Sequence, residues 1–100
     1  MYYRMTRLHW NEDRYDDVMA LAESMRDRVE AIDGLVFAEL AKTGKAEGMI
    51  IAGYESEADY QAASGEVASI LGELARLLTS VPHGHEGGVV LSYGAAPSSA

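Results

Sequence analysis

Leu35-Val36-Phe37-Ala38-Glu39-Leu40-Ala41-Lys42-Thr43-Gly44-Lys45-Ala46-Glu47-Gly48-Met49-Ile50-Ile51-Ala52-Gly53-Tyr54 reads as two strands and a turn, with apolar residues on both sides of each strand. Thr43-Gly44, flanked by Lys42 and Lys45, is the hairpin turn signal between a strand over 35–42 and another over 46–54. Successive strand residues face opposite sides of a sheet. The first of these strands therefore sets Leu35 and Phe37 against Val36, Ala38 and Leu40. The second sets Met49 and Ile51 against Ile50 and Tyr54. Each strand needs two dry environments.

The pattern repeats outward from the hairpin. Residues 2–10 form a strand with Tyr3 and Met5 on one side and Leu8 and Trp10 on the other. Residues 88–93 form a last strand, with Val89, Leu91 and Tyr93 set against Val90. Between the first two strands, Tyr15, Val18, Met19, Ala22, Met25, Val29 and Ile32 follow the spacing of an amphipathic helix. Asp13 is its expected N-cap, and Asp33-Gly34 its stop. A second helix opens at Ser56 with Asp59 three residues on, a variant capping box. It is expected to break at Ser64-Gly65, to pack closely at Gly72, and to carry an apolar stripe of Val67, Ile70, Leu71, Leu74, Leu77 and Leu78. Val81 to Gly87 reads as a loop.

The order βαββαβ, with right-handed crossovers, predicts an α+β fold: a ferredoxin-like four-stranded antiparallel sheet with both helices on one face. Two helices cover one side only. The other side, roughly 350 Å² in planar footprint for four strands of ordinary length, is larger than monomers usually expose. A face-to-face homodimer through the open sheet face, a dimeric α+β barrel, is the expected solution. Residues 1–94 are expected to form the single domain, and 95–100 a flexible tail.

Sixteen acidic against eight basic residues give a formal net charge of −8. That disfavours nucleic acid and acidic membranes, whose binding depends on cationic groups. With no cysteine there is no thiolate chemistry and no disulfide. The chain holds no apolar run of bilayer length, and with a strand starting at residue 2 no signal peptide is expected. The expectation is a cytoplasmic protein.

The segment Thr43 to Ala58, with Gly-Met-Ile-Ile-Ala-Gly-Tyr-Glu-Ser-Glu-Ala at its centre, resembles the hairpin, third strand and helix start of dimeric α+β barrel proteins, especially antibiotic-biosynthesis-monooxygenase-like domains. Asp33-Gly34-Leu35 resembles their path into strand two. The resemblance implies that Tyr54 occupies the aromatic position ending strand three. The haem-degrading branch is a poor match, since its members combine an Asn on strand one with a Trp ending strand three and a His on helix two. Here strand three ends in Tyr54 and helix two has no His. The resemblance implies a cofactor-free monooxygenase-like protein acting on an aromatic or apolar small molecule. The alternatives are a non-catalytic binding or stress-associated barrel, or a lactone or dienolate isomerase.

Candidate chemistry gathers at strand ends. His9 is the candidate base near neutral pH. Trp10 is a candidate pocket wall and Asn11 a candidate donor to a substrate oxygen, although core filler and turn residue are their plain readings. Arg4 and Arg7 lie on opposite faces of a central strand, and a buried guanidinium needs a carboxylate or an anion. Arg7 shares a face with His9 and Tyr3 and is taken as the ligand anchor, the plain alternative being an ion pair with Glu39 or Glu47. Tyr54 and Tyr93 pair an apolar body with a hydroxyl. His83-Gly84-His85-Glu86 offers two imidazoles and a carboxylate but no nearby third ligand, so no metal is expected; His85 is a candidate on a lid over the pocket. No cofactor is expected.

Overall fold

The computed structural model describes residues 1–94. Residues 95–100, expected as a tail, lie outside the described residues. The elements run β1 (Tyr2–His9), α1 (Tyr15–Ser24), α2 (Arg26–Glu30), β2 (Leu35–Gly44), β3 (Glu47–Tyr54), α3 (Glu57–Leu74) and β4 (His83–Gly88). The sheet order is β2-β3-β1-β4, and every pairing is antiparallel. This is the ferredoxin-like α+β fold, with β1 and β3 central. Among the described residues no helix is long and apolar enough to cross a membrane.

Parity along β1 decides which side each residue serves. Leu8, Trp10 and Thr6 point at the helices and are buried, whereas Tyr3, Met5, Arg7 and His9 point away. Three core clusters join the inner sheet face to the helices. Leu8, Trp10 and Val18 form the first, Met25, Ile70 and Leu74 the second, and Ala52, Tyr54 and Ala63 the third. None of them includes Tyr3, Met5, Phe37, Met49 or Ile51, the apolar centre of the opposite face. The apolar stripes expected of the helices pack into these clusters, except that α3 ends at Leu74 and Leu77 and Leu78 join the first cluster from the 3-10 turn that follows and the residue after it.

Several local readings need correction. The segment His83–Gly88 is β4, not a loop, and Val89–Tyr93 is not a strand. Cross-strand pairing explains the shift: β4 runs against β1 from Arg7↔His83 to Tyr2↔Gly88, after which β1 ends. The last backbone bond there is from the Val89 N–H to the Met1 carbonyl, 3.0 Å. Glycines at 84, 87 and 88 give the segment poor strand propensity, which the vacant edge of β1 overrides.

In β2 the register shifts between Leu35 and Phe37, so Val36 is an extra residue. Leu35 therefore turns to the helix side beside Tyr54, and only Phe37 faces outward against Tyr3. The hairpin tip is Lys45-Ala46 rather than Thr43-Gly44. The first helix is interrupted at Met25. There the Ser24 hydroxyl takes the Leu21 carbonyl at 2.6 Å, and the Met25 N–H bonds to the Ala22 carbonyl instead. Asp13 makes no cap; it sits in a 3-10 turn, Glu12–Arg14, ahead of α1. In contrast, α3 continues through Ser64-Gly65, and a side chain at Gly72 would meet nothing within 4 Å. The Ser56 cap is present, its Oγ accepting from the Asp59 N–H at 3.1 Å.

Gly34 sits at φ +80°, and a Cβ there would lie 2.5 Å from Asp59 Cβ. Its carbonyl accepts the Glu55 N–H at 2.9 Å, tying the start of β2 to the end of β3. Gly34→Ala should therefore cost at least the ~1–2 kcal/mol of a left-handed L-residue, read as a lower urea midpoint. An unchanged midpoint would contradict this account of the turn.

Candidate functional site

Between the inner sheet face and the helices lies a cavity of about 190 Å³. Leu8, Ile50 and Tyr54 form its floor, and Val18, Met25 and Ile70 its roof. Ala22, Ala38 and Ala52 also line it, and their short side chains leave the space that longer ones would fill. Its walls are almost wholly hydrocarbon. A dry apolar cavity of about 150 Å³ is enough to hold benzene, so this one has room for a single aromatic ring.

A wider hollow shares Ala22, Val29 and Leu35 with the cavity and opens between α1–α2 and β2. An ionic group rims it. Arg26 donates to both carboxylate oxygens of Glu23 at 2.8 Å and reaches Glu30 at 3.5 Å. Hydrogen bonding from Arg26 holds the Glu23 carboxyl below its usual range. These groups are exposed and add little stability; they give the mouth a polar lip over an apolar interior.

Tyr54 joins the cavity to a polar group at one end of the sheet. It is 1% exposed and meets the Tyr60 ring edge-on at 5.4 Å, and Tyr60 in turn leans on Tyr2 at 5.1 Å. Arg4 donates from Nη1 to the Tyr60 hydroxyl at 3.0 Å and from Nε to the buried Thr6 hydroxyl at 3.1 Å. No carboxylate lies within ion-pair distance of Arg4 among the described residues. Burial pushes the Tyr54 phenol above its ordinary pKa, against the opposing pull of Arg4. Burial also raises Tyr60, helped by a hydrogen bond with Glu86 and opposed by Arg4. Both phenols thus stay neutral well past physiological pH. They are donors, not bases.

The residues singled out in the sequence divide between the two sheet faces. Trp10 and Tyr54 are on the helix side; Trp10 packs on Leu8 and Val18, and its Nε1–H donates to the Lys45 carbonyl at 3.2 Å. On the opposite face His9 Nε2 lies 3.2 Å from Glu47, with Ser80 Oγ 3.5 Å from Nδ1. Arg7 is exposed there, alongside His83 and His85, whose rings meet edge-on at 4.9 Å. Asn11 is exposed beyond β1, and Tyr93 is 85% exposed in the segment after β4. His9 and Arg7 therefore do not reach the cavity of their own subunit. Among the described residues no three His, Cys, Asp or Glu side chains are placed to hold a metal ion.

Sequence reasoning weighed Arg4 but favoured Arg7, read Glu86 only as a carboxylate beside His83 and His85, and passed over Thr6 and Tyr60. A signal existed. Arg4 and Thr6 share the parity of Leu8 and Trp10, which marks Arg4 as the guanidinium on the core side. Tyr60 precedes Ala63, Val67 and Ile70 at helical spacing.

No protein-family model matches the chain, and no curated protein matches it. Solved structures do. A protein of unknown function from Nitrosomonas europaea superposes with a TM-score of 0.77 at 18% identity, covering 95% of this chain and 94% of that one. A Deinococcus radiodurans protein, provisionally assigned as an antibiotic biosynthesis monooxygenase, gives 0.78 at 10% identity, with 96% and 99% covered. A dimeric ferredoxin-like protein from an uncultured marine organism gives 0.72 at 13% identity, with 95% and 92% covered. At such identities the likeness carries the fold alone, a ferredoxin-like α+β fold.

Alkaline titration tests the site. A phenol whose folded pKa exceeds its unfolded value of about 10 binds its proton longer in the folded state. Stability is then full below pH about 10 and falls as pH rises through the raised values. The phenolate absorbance should show a late portion, from which Tyr54→Phe and Tyr60→Phe each remove a part, Tyr2 being raised as well. Loss of none of it in either variant would remove burial as the cause.

Proposed function

We propose that the chain acts as a face-to-face homodimer in which each subunit binds one small apolar molecule, of single aromatic ring size, between sheet and helices. The cavity of about 190 Å³ with its hydrocarbon walls carries this reading. Shape and lining select a compact hydrophobic body, and the adjoining neutral phenol of Tyr54 suits a ligand bearing an oxygen acceptor. The dimer is supported by the apolar centre of the uncovered face, Tyr3, Met5, Phe37, Met49 and Ile51, and by the dimeric state of the marine ferredoxin-like neighbour.

A monooxygenase-like activity is the second reading. It is supported by the names of several fold neighbours and by the Arg4–Tyr60 pair beside Tyr54. Arg4 would favour negative charge developing on a ligand oxygen, and the water-poor cavity would let an electron-rich ring meet dioxygen. His9 and Arg7 enter such chemistry only from the opposite face.

Trp10, the single tryptophan, packs on the cavity residues Leu8 and Val18 and so reports on occupancy. Titration with simple phenols should change its fluorescence saturably. Ala52→Leu, which fills the cavity, should weaken that binding at least tenfold while the folded spectrum persists. Equal affinity in the filled variant would place the ligand elsewhere. Oxygen consumption with the bound phenol, reduced by Arg4→Met, would support the enzymatic reading, and its absence across binders would leave a binding protein.

A further inference from the structure

Because β4 is a strand and not a loop, its two imidazoles have a fixed relation. His83 and His85 are two residues apart on it, so both project to the same side of the sheet. Their cross-strand partners in β1, Arg7 and Met5, project to that side as well. All four are exposed. The imidazole rings stand 4.9 Å apart at an interplanar angle of 78°. Two imidazoles that each hold a nitrogen about 2.0–2.1 Å from one ion have centroids roughly 4.5–5.2 Å apart, for ligand–metal–ligand angles of about 90–110°. The pair already stands at chelating separation, and rotation about exposed side-chain bonds is all that alignment requires.

Met5 adds a third donor. It sits directly opposite His85 in the β1–β4 ladder, where opposed Cβ atoms lie about 4.5–5.5 Å apart. Its unbranched, flexible side chain brings the thioether within reach of the imidazoles. The sequence shows the two imidazoles side by side; strand pairing brings the sulfur to them from the other end of the chain. We propose that Met5, His83 and His85 bind a single copper ion, copper(I) most tightly, at the β4 margin of the open sheet face. All three donors come from one chain, so the site stands apart from both the ligand cavity and the homodimer.

The donor set selects the metal. Thioether sulfur and imidazole nitrogen suit copper(I), whereas calcium and magnesium take oxygen ligands. Among the described residues no carboxylate completes a cluster with the two imidazoles. Glu86 is directly opposite Arg4 and so alternates to the helix side, and Glu47 lies 3.2 Å from His9. With no cysteine in the chain, no thiolate competes for the ion. Arg7, opposite His83, repels any cation bound here. That repulsion is smaller for a singly charged ion than for a doubly charged one, and the flexible Arg7 stem lets its exposed guanidinium turn toward water.

Copper(I) alone is the probe, kept reduced by ascorbate without oxygen and shared between the full chain and a chromophoric copper(I) chelator. The chain should withdraw one equivalent. His83→Asn and His85→Asn should each weaken binding at least tenfold. Met5→Leu should do the same for copper(I) while changing copper(II) affinity less than about threefold, a split that a merely structural role would not produce. Copper X-ray absorption should show a sulfur neighbour that Met5→Leu removes. The three side chains are exposed, so melting of the metal-free variants should match that of the parent; for any that melts early, His83→Gln or His85→Gln takes the place of Asn and Met5→Ile that of Leu. No uptake at micromolar free copper(I), or uptake undiminished when both histidines are replaced, would overturn the site. Loss of copper in His9→Gln would place the ion elsewhere and overturn it too. Unchanged copper(I) affinity in Met5→Leu would overturn the three-donor assignment. The dimer is read separately, by sedimentation of the metal-free chain, and stands or falls without these results.

Discussion

Everything in this molecule depends on the two-sidedness of β1. Its residues alternate between a helix-covered layer, where Thr6, Leu8 and Trp10 are shut away from water, and an uncovered layer with Tyr3 and Met5. Both layers are apolar at their centres, and the chain supplies helices for only one. A sheet with one covered face and one open apolar face has hydrophobic surface still to bury. At about 25 cal/mol per Å², covering even the roughly 350 Å² footprint of the open layer would contribute on the order of 9 kcal/mol before the cost of association. The face is therefore the strongest driving force left in the subunit once it has folded.

The covered layer is unfinished in another way. Helices and sheet meet in three clusters rather than one continuous core, and the gap between them is the cavity. Its hollowness traces to small residues at facing positions, Ala22 above and Ala38 and Ala52 below. An empty space of this size is costly to keep, since cavities destabilise in proportion to their volume. An apolar ligand of the kind proposed above would offset that cost. The polar group at Arg4, Tyr60 and Glu86 stands just past Tyr54, so hydrogen-bonding groups adjoin a hydrocarbon-lined space.

Most of the fold was legible because it is written in periodicities. The parity of β1 and β3 and the stripes from Tyr15 to Ile32 and from Val67 to Leu78 all point to the layers they occupy. What escaped was set by partners far away in sequence. His83–Gly88 is a strand because β1 has an edge to fill, although its own glycines argue otherwise. Leu35 changes sides because one extra residue, Val36, enters the ladder against β3, which no alternation rule reveals. At the site, Tyr54 could be anticipated from its place at a strand end. The Arg4–Tyr60 contact spans 56 residues and depends on how α3 lies over the sheet. His9 drew attention as an imidazole at a strand end, and the structure sets it beside Glu47 on the other face.

The claim on which the account stands is that the uncovered layer is an interface between two copies. Sedimentation equilibrium of the unmodified chain measures this most directly. At micromolar concentration and neutral pH the account predicts a particle of twice the 10.8 kDa subunit mass. A single species at the subunit mass, with Tyr3, Met5 and Ile51 left to water, would contradict it.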